Sequence, residues 1–242
     1  MTIAHVQHDL YDGDAGGTQT WDVTHPGGSD VLLALTAFYN TSWGDTVTLV
    51  KYDGGDTTWL NDDEFLNASY RGRVYYITGP ATGTKAVTWT VGWGFDIKSA
   101  IVFAADWFTG VDQTTPFVGP DTTDLLSGAW SVCSHTALSA AADEKLFMAS
   151  VKETSAAWPA GGTNVTLLTS RFKDTGDTKV HTQTAYASDG WDTIDYAASI
   201  NTNWASIAAV LNPASAAAAD EVAARFLATG RGPTMYGPGV NR

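Results

Sequence analysis

The sequence predicts an all-β protein, an antiparallel β-sandwich with one short helix near its C-terminus. Three observations predict this class. The chain of 242 residues carries about a dozen short apolar segments, separated by turns rich in Gly, Pro, Asn and Asp. Between residues 18 and 213, no segment has the apolar spacing of a helix. No unit of about 20–50 residues repeats, which argues against a propeller or a solenoid.

The most apolar stretch, residues 97–120, predicts the strand around which the sandwich is built. Its first half is a continuous apolar run that ends in an aromatic pair, and its second half contains the polar segment 110–116. A continuous apolar run indicates a strand buried on both faces, which needs a packing layer on each side. In the polar segment we expect Asp112, Gln113 and two threonines to hydrogen-bond the backbone of a turn.

The other strands follow from two patterns. A strand with one face in solvent alternates polar and apolar residues, and a strand buried on both faces is continuously apolar. The predicted strands, in order, span residues 18–24, 31–39, 47–52, 57–60, 73–77, 85–91, 97–108, 131–138, 145–151, 165–172, 179–187, 196–200 and 204–211. Residues 118–129 are expected to form a loop. A Ser-capped apolar stripe over residues 216–228 predicts the helix.

The chain divides into three predicted parts. Residues 1–17 form an N-terminal arm and loop, residues 18–213 form the sandwich, and residues 214–242 form the helix and a tail rich in Gly and Pro. Such a tail cannot build a core, so we expect it to dock on a partner. The body carries an excess of acidic residues and the tail a net charge of +1. The side chains expected to dock are Arg225, Phe226, Arg231, Met235, Tyr236 and Arg242.

Charge and composition exclude several classes of partner. The net charge of −13 repels phosphates and anionic lipids, so the sequence predicts neither a nucleic-acid nor a membrane partner. Cys133 is the single cysteine, so the chain forms no internal disulfide. The first residues lack the pattern of a signal peptide, and no apolar run approaches the roughly 18 residues of a membrane span. We therefore expect synthesis in a cytoplasm.

The sequence carries no recognisable catalytic motif. A nucleophile elbow, a P-loop, a dinucleotide fingerprint and a zinc-binding His-Glu-x-x-His helix are all missing, which predicts a protein that is not an enzyme and binds no cofactor. Cys133 and His135 lie two positions apart, and a structural role in one strand is favoured over a nucleophile and base. The acidic cluster 61–64 is interpreted as a solvated surface.

One segment suggests a cation. The carboxylates of Asp9, Asp12 and Asp14 fall in a short segment with glycines, as in a calcium-binding loop. No Glu closes a twelve-residue loop, so a solvated acidic turn is the favoured interpretation.

Tryptophan is frequent, with ten residues, and several of them fall in predicted loops. Exposed aromatic rings can stack on sugars or anchor a protein interface. The candidates for glycan or partner contact are Trp43, Trp59 and Trp191. The interpretation that these rings fold back and cap the sandwich is favoured.

Four segments resemble one known family. Residues 103–116 end in Gly-Val-Asp-Gln-Thr-Thr-Pro, and residues 47–54, 75–84 and 204–213 match its hairpin, aromatic strand and last strand. The family is a jelly-roll-like β-sandwich of phage virion and bacterial surface proteins, with Asn-Gly where this chain has Asp53-Gly54-Gly55. It supplies no catalytic residue to transfer. Its matching turn positions here are Gly110, Asp112, Gln113, Thr114 and Pro116.

The resemblance implies a function. It points to a non-enzymatic phage structural protein, a capsid decoration (cement) or head-spike component, made in the host cytoplasm and incorporated into the virion. The expected partners are the major capsid protein or another virion protein, and further copies of the chain in a homo-oligomer, taken as a trimer. One alternative is a carbohydrate- or receptor-binding module of a tail fibre or surface protein. Another is a β-sandwich glycosidase, disfavoured because the paired-Glu strand is missing.

Overall fold

The computed structural model describes residues 2–13, 17–40, 47–60, 65–67, 70–91, 100–118, 123–136, 138, 140–175, 179–188 and 190–215. This part of the chain consists of strands, turns and irregular segments, and all of its strand pairs are antiparallel. The prediction of an antiparallel all-β fold is confirmed. The predicted helix and the six docking side chains lie outside the described residues. No helix that could cross a membrane occurs in the described ranges.

The described residues form eighteen strands. In chain order they are β1 (Ala4–Gly13), β2 (Gly17–Thr24), β3 (Leu32–Asn40), β4 (Val47–Tyr52), β5 (Gly55–Asp56), β6 (Thr58–Trp59), β7 (Phe65–Asn67), β8 (Tyr70–Thr78), β9 (Thr84–Val91), β10 (Ile101–Thr109), β11 (Thr123–Ala129), β12 (Ser134–His135), β13 (Lys145–Lys152), β14 (Val165–Leu167), β15 (Arg171–Asp174), β16 (Lys179–Ala187), β17 (Ile194–Asp195) and β18 (Asn203–Leu211).

Most of these strands belong to three sheets. The central sheet has the order β1-β10-β3-β8-β6, with β7 also paired to β8. The front sheet has the order β2-β9-β4-β5. The back sheet has the order β11-β18-β13-β16-β14, with β15 also paired to β16, and β12 and β17 form a separate small pair.

The first half of the chain has jelly-roll connectivity. Strands β1-β10-β3-β8 of the central sheet face strands β2-β9-β4-β5 of the front sheet. Successive long strands alternate between the two sheets, which is the arrangement of an eight-stranded jelly roll. The fold class is confirmed, and the back sheet adds a third layer on the other face of the central sheet.

Strand β10 is the centre of this three-layer arrangement. Its side chains alternate between two cores, as strand geometry requires. Val102, Ala104 and Phe108 pack toward the back sheet, whereas Phe103 and Trp107 pack toward the front sheet. Every residue of the strand from Ile101 to Phe108 is buried. The prediction that this stretch is buried on both faces, with a layer on each side, is confirmed.

Several segments differ from the sequence prediction. Among the described residues of 131–138 only Ser134–His135 form a strand, β12, and residues 196–200 form none apart from an isolated bridge at Tyr196. Residues 165–172, predicted as one strand, are divided between β14 and β15.

Residues 4–13, predicted as part of an arm and loop, form β1 at the edge of the central sheet. Their composition hid the strand because its inward positions include His5 and His8, which are polar. Residues 123–129, predicted as part of a loop, form the edge strand β11. That strand has only two large apolar residues, and both are half-buried.

Candidate functional site

The polar motif after β10 is a hydrogen-bonded turn. The Oδ1 atom of Asp112 accepts hydrogen bonds from the backbone N–H groups of Thr114 and Thr115, each at 2.8 Å. These N–H groups stabilise the carboxylate and lower the pKa of Asp112. The side-chain amide of Gln113 donates to the carbonyl of Val111 at 2.7 Å. The motif therefore holds its own backbone, as expected of a fold element.

The same motif fixes the end of the last strand. The N–H of Asp112 donates to the carbonyl of Asn212 at 2.9 Å, and the N–H of Asn212 donates to the carbonyl of Pro116 at 2.8 Å. The N–H of Ala214 donates to the carbonyl of Gly110 at 2.8 Å. Since β10 belongs to the jelly roll and β18 to the back sheet, this turn ties the two parts together.

A buried cluster of His5, His8 and Asp106 lies between the central and back sheets. Asp106 has no exposed side-chain surface, and its Oδ1 atom lies 2.8 Å from Nδ1 of His8 and 3.2 Å from Nε2 of His5. Nε2 of His8 lies 3.1 Å from the carbonyl oxygen of Thr169. The ring of His5 stacks on Tyr186 of the back sheet, with centroids 5.1 Å apart.

The partners of His8 define its charge. A carbonyl oxygen and an ionised carboxylate only accept hydrogen bonds, so both ring nitrogens of His8 donate and the ring is an imidazolium. Burial alone would lower the pKa of His8, but the hydrogen bond and charge of Asp106 raise it above its ordinary value. Burial alone would raise the pKa of Asp106, and the hydrogen bonds of His5 and His8 lower it instead. The cluster is a buried ion pair that bonds β1 to β10 and to the back sheet.

A second buried cluster joins a histidine to two serines in the back sheet. Nε2 of His135 lies 2.9 Å from Oγ of Ser206, and Oγ of Ser150 lies 2.8 Å from the same oxygen. Ser206 also donates to the carbonyl of Ala149 at 3.1 Å. A serine beside a histidine resembles a nucleophile with its base, yet all three side chains are fully buried. Their hydrogen bonds are made within the protein interior, and Cys133 is also buried.

A third cluster fixes the loop that follows β13. Nζ of Lys152 donates to the carbonyl of Ala157 at 3.0 Å and lies 4.5 Å from the ring centroid of Trp158. Burial lowers the pKa of Lys152 to about 8. Nδ1 of His181 donates to the carbonyl of Thr154 at 3.0 Å, and Nε1 of Trp158 donates to the carbonyl of Thr182 at 3.1 Å. Residues 153–158 are held in place from the inside.

That loop forms one wall of a cleft of about 370 Å³ at the end of the back sheet. We call it the sheet-end cleft. Its lining includes Glu153, Thr154, Phe172, Asp174, Asn201 and Thr202. The strand ends that meet there are the last residues of β13 and β15 and the first residues of β16 and β18. Hydroxyl, amide and carboxyl groups dominate the lining, with Phe172 as its large apolar side chain.

Trp130 lies beside this cleft and was missed by sequence reasoning. It is 74% exposed, the highest value among the large apolar residues of the described chain. The backbone N–H of Trp130 donates to the carbonyl of Thr202 at 3.4 Å, and Thr202 lines the cleft. Its neighbours in the sequence do not distinguish Trp130 from buried tryptophans such as Trp89, which lies between two threonines.

Of the three predicted tryptophan contacts, Trp191 is the one whose side chain the structure describes. Trp191 is 36% exposed. The preceding residue, Gly190, donates its N–H to the carbonyl of Glu144, which lies just before β13. Trp191 therefore lies at the end of the back sheet opposite the sheet-end cleft. Trp59 lies on β6, and Trp43 is outside the described residues.

Two of the three predicted calcium ligands lie within the described residues. Asp9 and Asp12 lie on β1, where Asp12 forms a salt bridge with Arg171 of the back sheet. Asp14 is outside the described residues. Within the part of the chain that the structure describes, no group of three or more His, Cys, Asp or Glu side chains is placed to hold a metal ion.

No protein-family model, no curated protein and no solved structure matches this chain.

Proposed function

We propose that the chain is a non-enzymatic structural protein of a phage virion, a capsid decoration (cement) or head-spike component. The observation that carries the proposal is the jelly-roll order of β1 to β10, an architecture that viral capsid proteins use repeatedly. The Gly110–Pro116 motif and the three further segments that resemble phage virion proteins support it from the sequence.

The placement of the reactive side chains also supports an assembly role. Asp106, His135, Ser206 and Lys152 are buried, His8 is nearly so, and all of them are bonded to the protein itself. Groups that could do chemistry in an open site stabilise the contacts between and within sheets here. The proposal therefore assigns the chain to binding and assembly, with the major capsid protein as partner and a homo-oligomer, a trimer, as the docking unit.

The test is the composition of the particle. Virions of the phage that encodes the chain are purified on a density gradient, and the chain is quantified by mass spectrometry against the major capsid protein. We expect a fixed ratio of the two proteins from one preparation to the next, and a trimer of the free chain in sedimentation. Absence of the chain from washed particles would overturn the proposal.

A truncation then tests the docking tail. The truncated chain ends at Ser215, because the N–H of Ala214 bonds Gly110 and belongs to the folded body. It should keep the thermal unfolding midpoint of the full chain and lose incorporation into particles. A milder variant, Arg231→Ala with Tyr236→Ala, should reduce incorporation in the same direction. Full incorporation of the truncated chain would contradict docking through the tail.

A further inference from the structure

The sheet-end cleft has a polar lining, and the backbone of the exposed Trp130 is hydrogen-bonded to Thr202 of that lining. Trp130 therefore lies at the same end of the back sheet as the cleft, directly after β11. The cleft volume of about 370 Å³ lies within the roughly 300–1,000 Å³ range of small-ligand sites. Glu153 and Asn201 line the cleft and are exposed to solvent.

Trp130 is costly in two ways. Its side chain is 74% exposed, so the chain forgoes the burial that a large aromatic residue normally provides. Its backbone has φ = 54°, a left-handed conformation that is a clear outlier for a bulky residue. Such outliers concentrate at functional sites, where the gain is binding rather than stability. A tryptophan ring exposed in this way is suited to stack on a ligand.

The wall of the cleft is preorganised. The hydrogen bonds of Lys152, His181 and Trp158 fix the loop that carries Glu153 and Thr154. The pKa of Tyr70 is raised by its burial and also by its hydrogen bond to Glu153, which anchors that carboxylate at the wall. A site whose polar groups are already positioned loses little conformational entropy when a ligand binds.

Charge selects the class of ligand. Glu153, Asp174 and Lys179 line the cleft, and Nζ of Lys179 lies 3.2 Å from Oδ2 of Asp174, so this pair is neutral and Glu153 leaves an excess of negative charge. The chain as a whole carries a net charge of −13. Phosphates, nucleic acids and acidic sugars are therefore repelled. A neutral molecule with many hydroxyl groups can donate to the carboxylates and place its apolar face on an aromatic ring.

We propose that the sheet-end cleft binds a neutral saccharide, with Trp130 stacking on a sugar ring and with Glu153, Asp174 and Asn201 hydrogen-bonding its hydroxyl groups. This site differs from the tryptophan set expected from the sequence, and it is independent of any role in a virion. A decoration protein with this cleft would carry a glycan-binding surface in addition to its docking surface.

The test measures binding to the full chain by titration calorimetry. The probes are cellotriose, maltotriose and chitotriose, with trigalacturonate as the anionic comparison. We expect saturable binding of at least one neutral trisaccharide at or below about 10 mM and none of trigalacturonate. No saturable binding of any neutral probe overturns the proposal, and so does equal binding of trigalacturonate.

Variants locate the site. Trp130→Ala and Asn201→Ala should each weaken binding by about tenfold, whereas Trp130→Tyr should retain most of it. The matched control is Trp191→Ala, which removes an exposed tryptophan at the opposite end of the sheet and should leave affinity unchanged. Thermal midpoints equal to that of the unmodified chain show that the variants are folded. Unchanged affinity in both Trp130→Ala and Asn201→Ala contradicts the proposed cleft.

Discussion

Nδ1 of His8 lies 2.8 Å from Oδ1 of Asp106, and this contact places an ion pair in the core between the jelly roll and the back sheet. Buried charges are expensive unless they are paired and hydrogen-bonded. Here the imidazolium has an acceptor at each nitrogen, because Thr169 of the back sheet accepts at 3.1 Å from Nε2. The stability of the contact between the two parts should therefore depend on pH.

We expect the contribution of His8 to the free energy of unfolding to fall as pH rises through the pKa of His8 in the folded chain. Burial lowers the pKa of His181, whose contribution grows as pH rises toward 6.5, so a comparison with a His8 variant is needed to separate the two. The pKa of His8 is raised above 6.5, so its contribution is complete below that value and is lost at higher pH. The pKa of Asp106 is lowered below 3.8, so its contribution is present above that value and is lost in acid. Urea unfolding at about pH 5.5 and about pH 8.5 measures the loss of the His8 contribution at higher pH.

Replacing His8 with Gln isolates the pH-dependent contribution of the His8–Asp106 ion pair to stability. At about pH 5.5, His8→Gln should cost roughly 1.5–3 kcal/mol, the range for hydrogen bonds to charged groups, and the cost should shrink at about pH 8.5. The control is His25→Gln, because His25 lies on a loop away from the back sheet and should leave the pH dependence unchanged. A His8→Gln variant with the same pH dependence as the unmodified chain would refute the imidazolium assignment.

Much of the fold could be read from the sequence because burial leaves a direct signal. The run that became β10 is apolar at nearly every position, and this predicted two packing layers. The jelly-roll order could not be read in the same way, because β1 pairs with β10 across about a hundred residues. Asp106 was the missed clue, since a single carboxylate within a buried strand requires a buried partner. Its partners His5 and His8 mark β1 as a strand of the central sheet, next to β10.

The contribution of Lys152 to the free energy of unfolding should rise with pH, whereas that of His8 falls. Burial lowers the pKa of Lys152 from 10.5 to about 8, so the unfolded chain binds more protons between these values and stability rises with pH across them. In Lys152→Met this rise should be reduced by roughly 1–3 kcal/mol, at about 1.4 kcal/mol per unit of pKa difference. Urea unfolding between about pH 7.5 and 10 measures it, with surface Lys51→Met as the control. Parallel curves for Lys152→Met and the unmodified chain would argue against a buried, partly neutral amine.

The candidate site was harder to predict than the fold. Sequence reasoning selected tryptophans in predicted loops, but exposure depends on what packs over each loop. Trp158 is only partly exposed and stacks on Tyr196 at 5.1 Å, while Trp130 has no such cover. The carboxylates of the cleft come from separate strands, with Glu153 after β13 and Asp174 at the end of β15. Only the pairing of the back sheet brings them together.

Gly110 should be the least replaceable residue of the turn that follows β10 and is hydrogen-bonded to the end of β18. Its φ is +73°, and an added Cβ would lie 2.5 Å from the carbonyl oxygen of Thr2, so Gly110→Ala combines backbone strain with a clash against backbone. Gly83 isolates the strain, because its φ is +85° and nothing lies within 4 Å of an added Cβ. We expect Gly83→Ala to cost about 1–2 kcal/mol, and Gly110→Ala to cost a further 1–3 kcal/mol or so, in urea unfolding. Equal losses in the two variants would mean that the N-terminal segment moves away from Gly110 at little cost, and that the turn does not depend on this close contact.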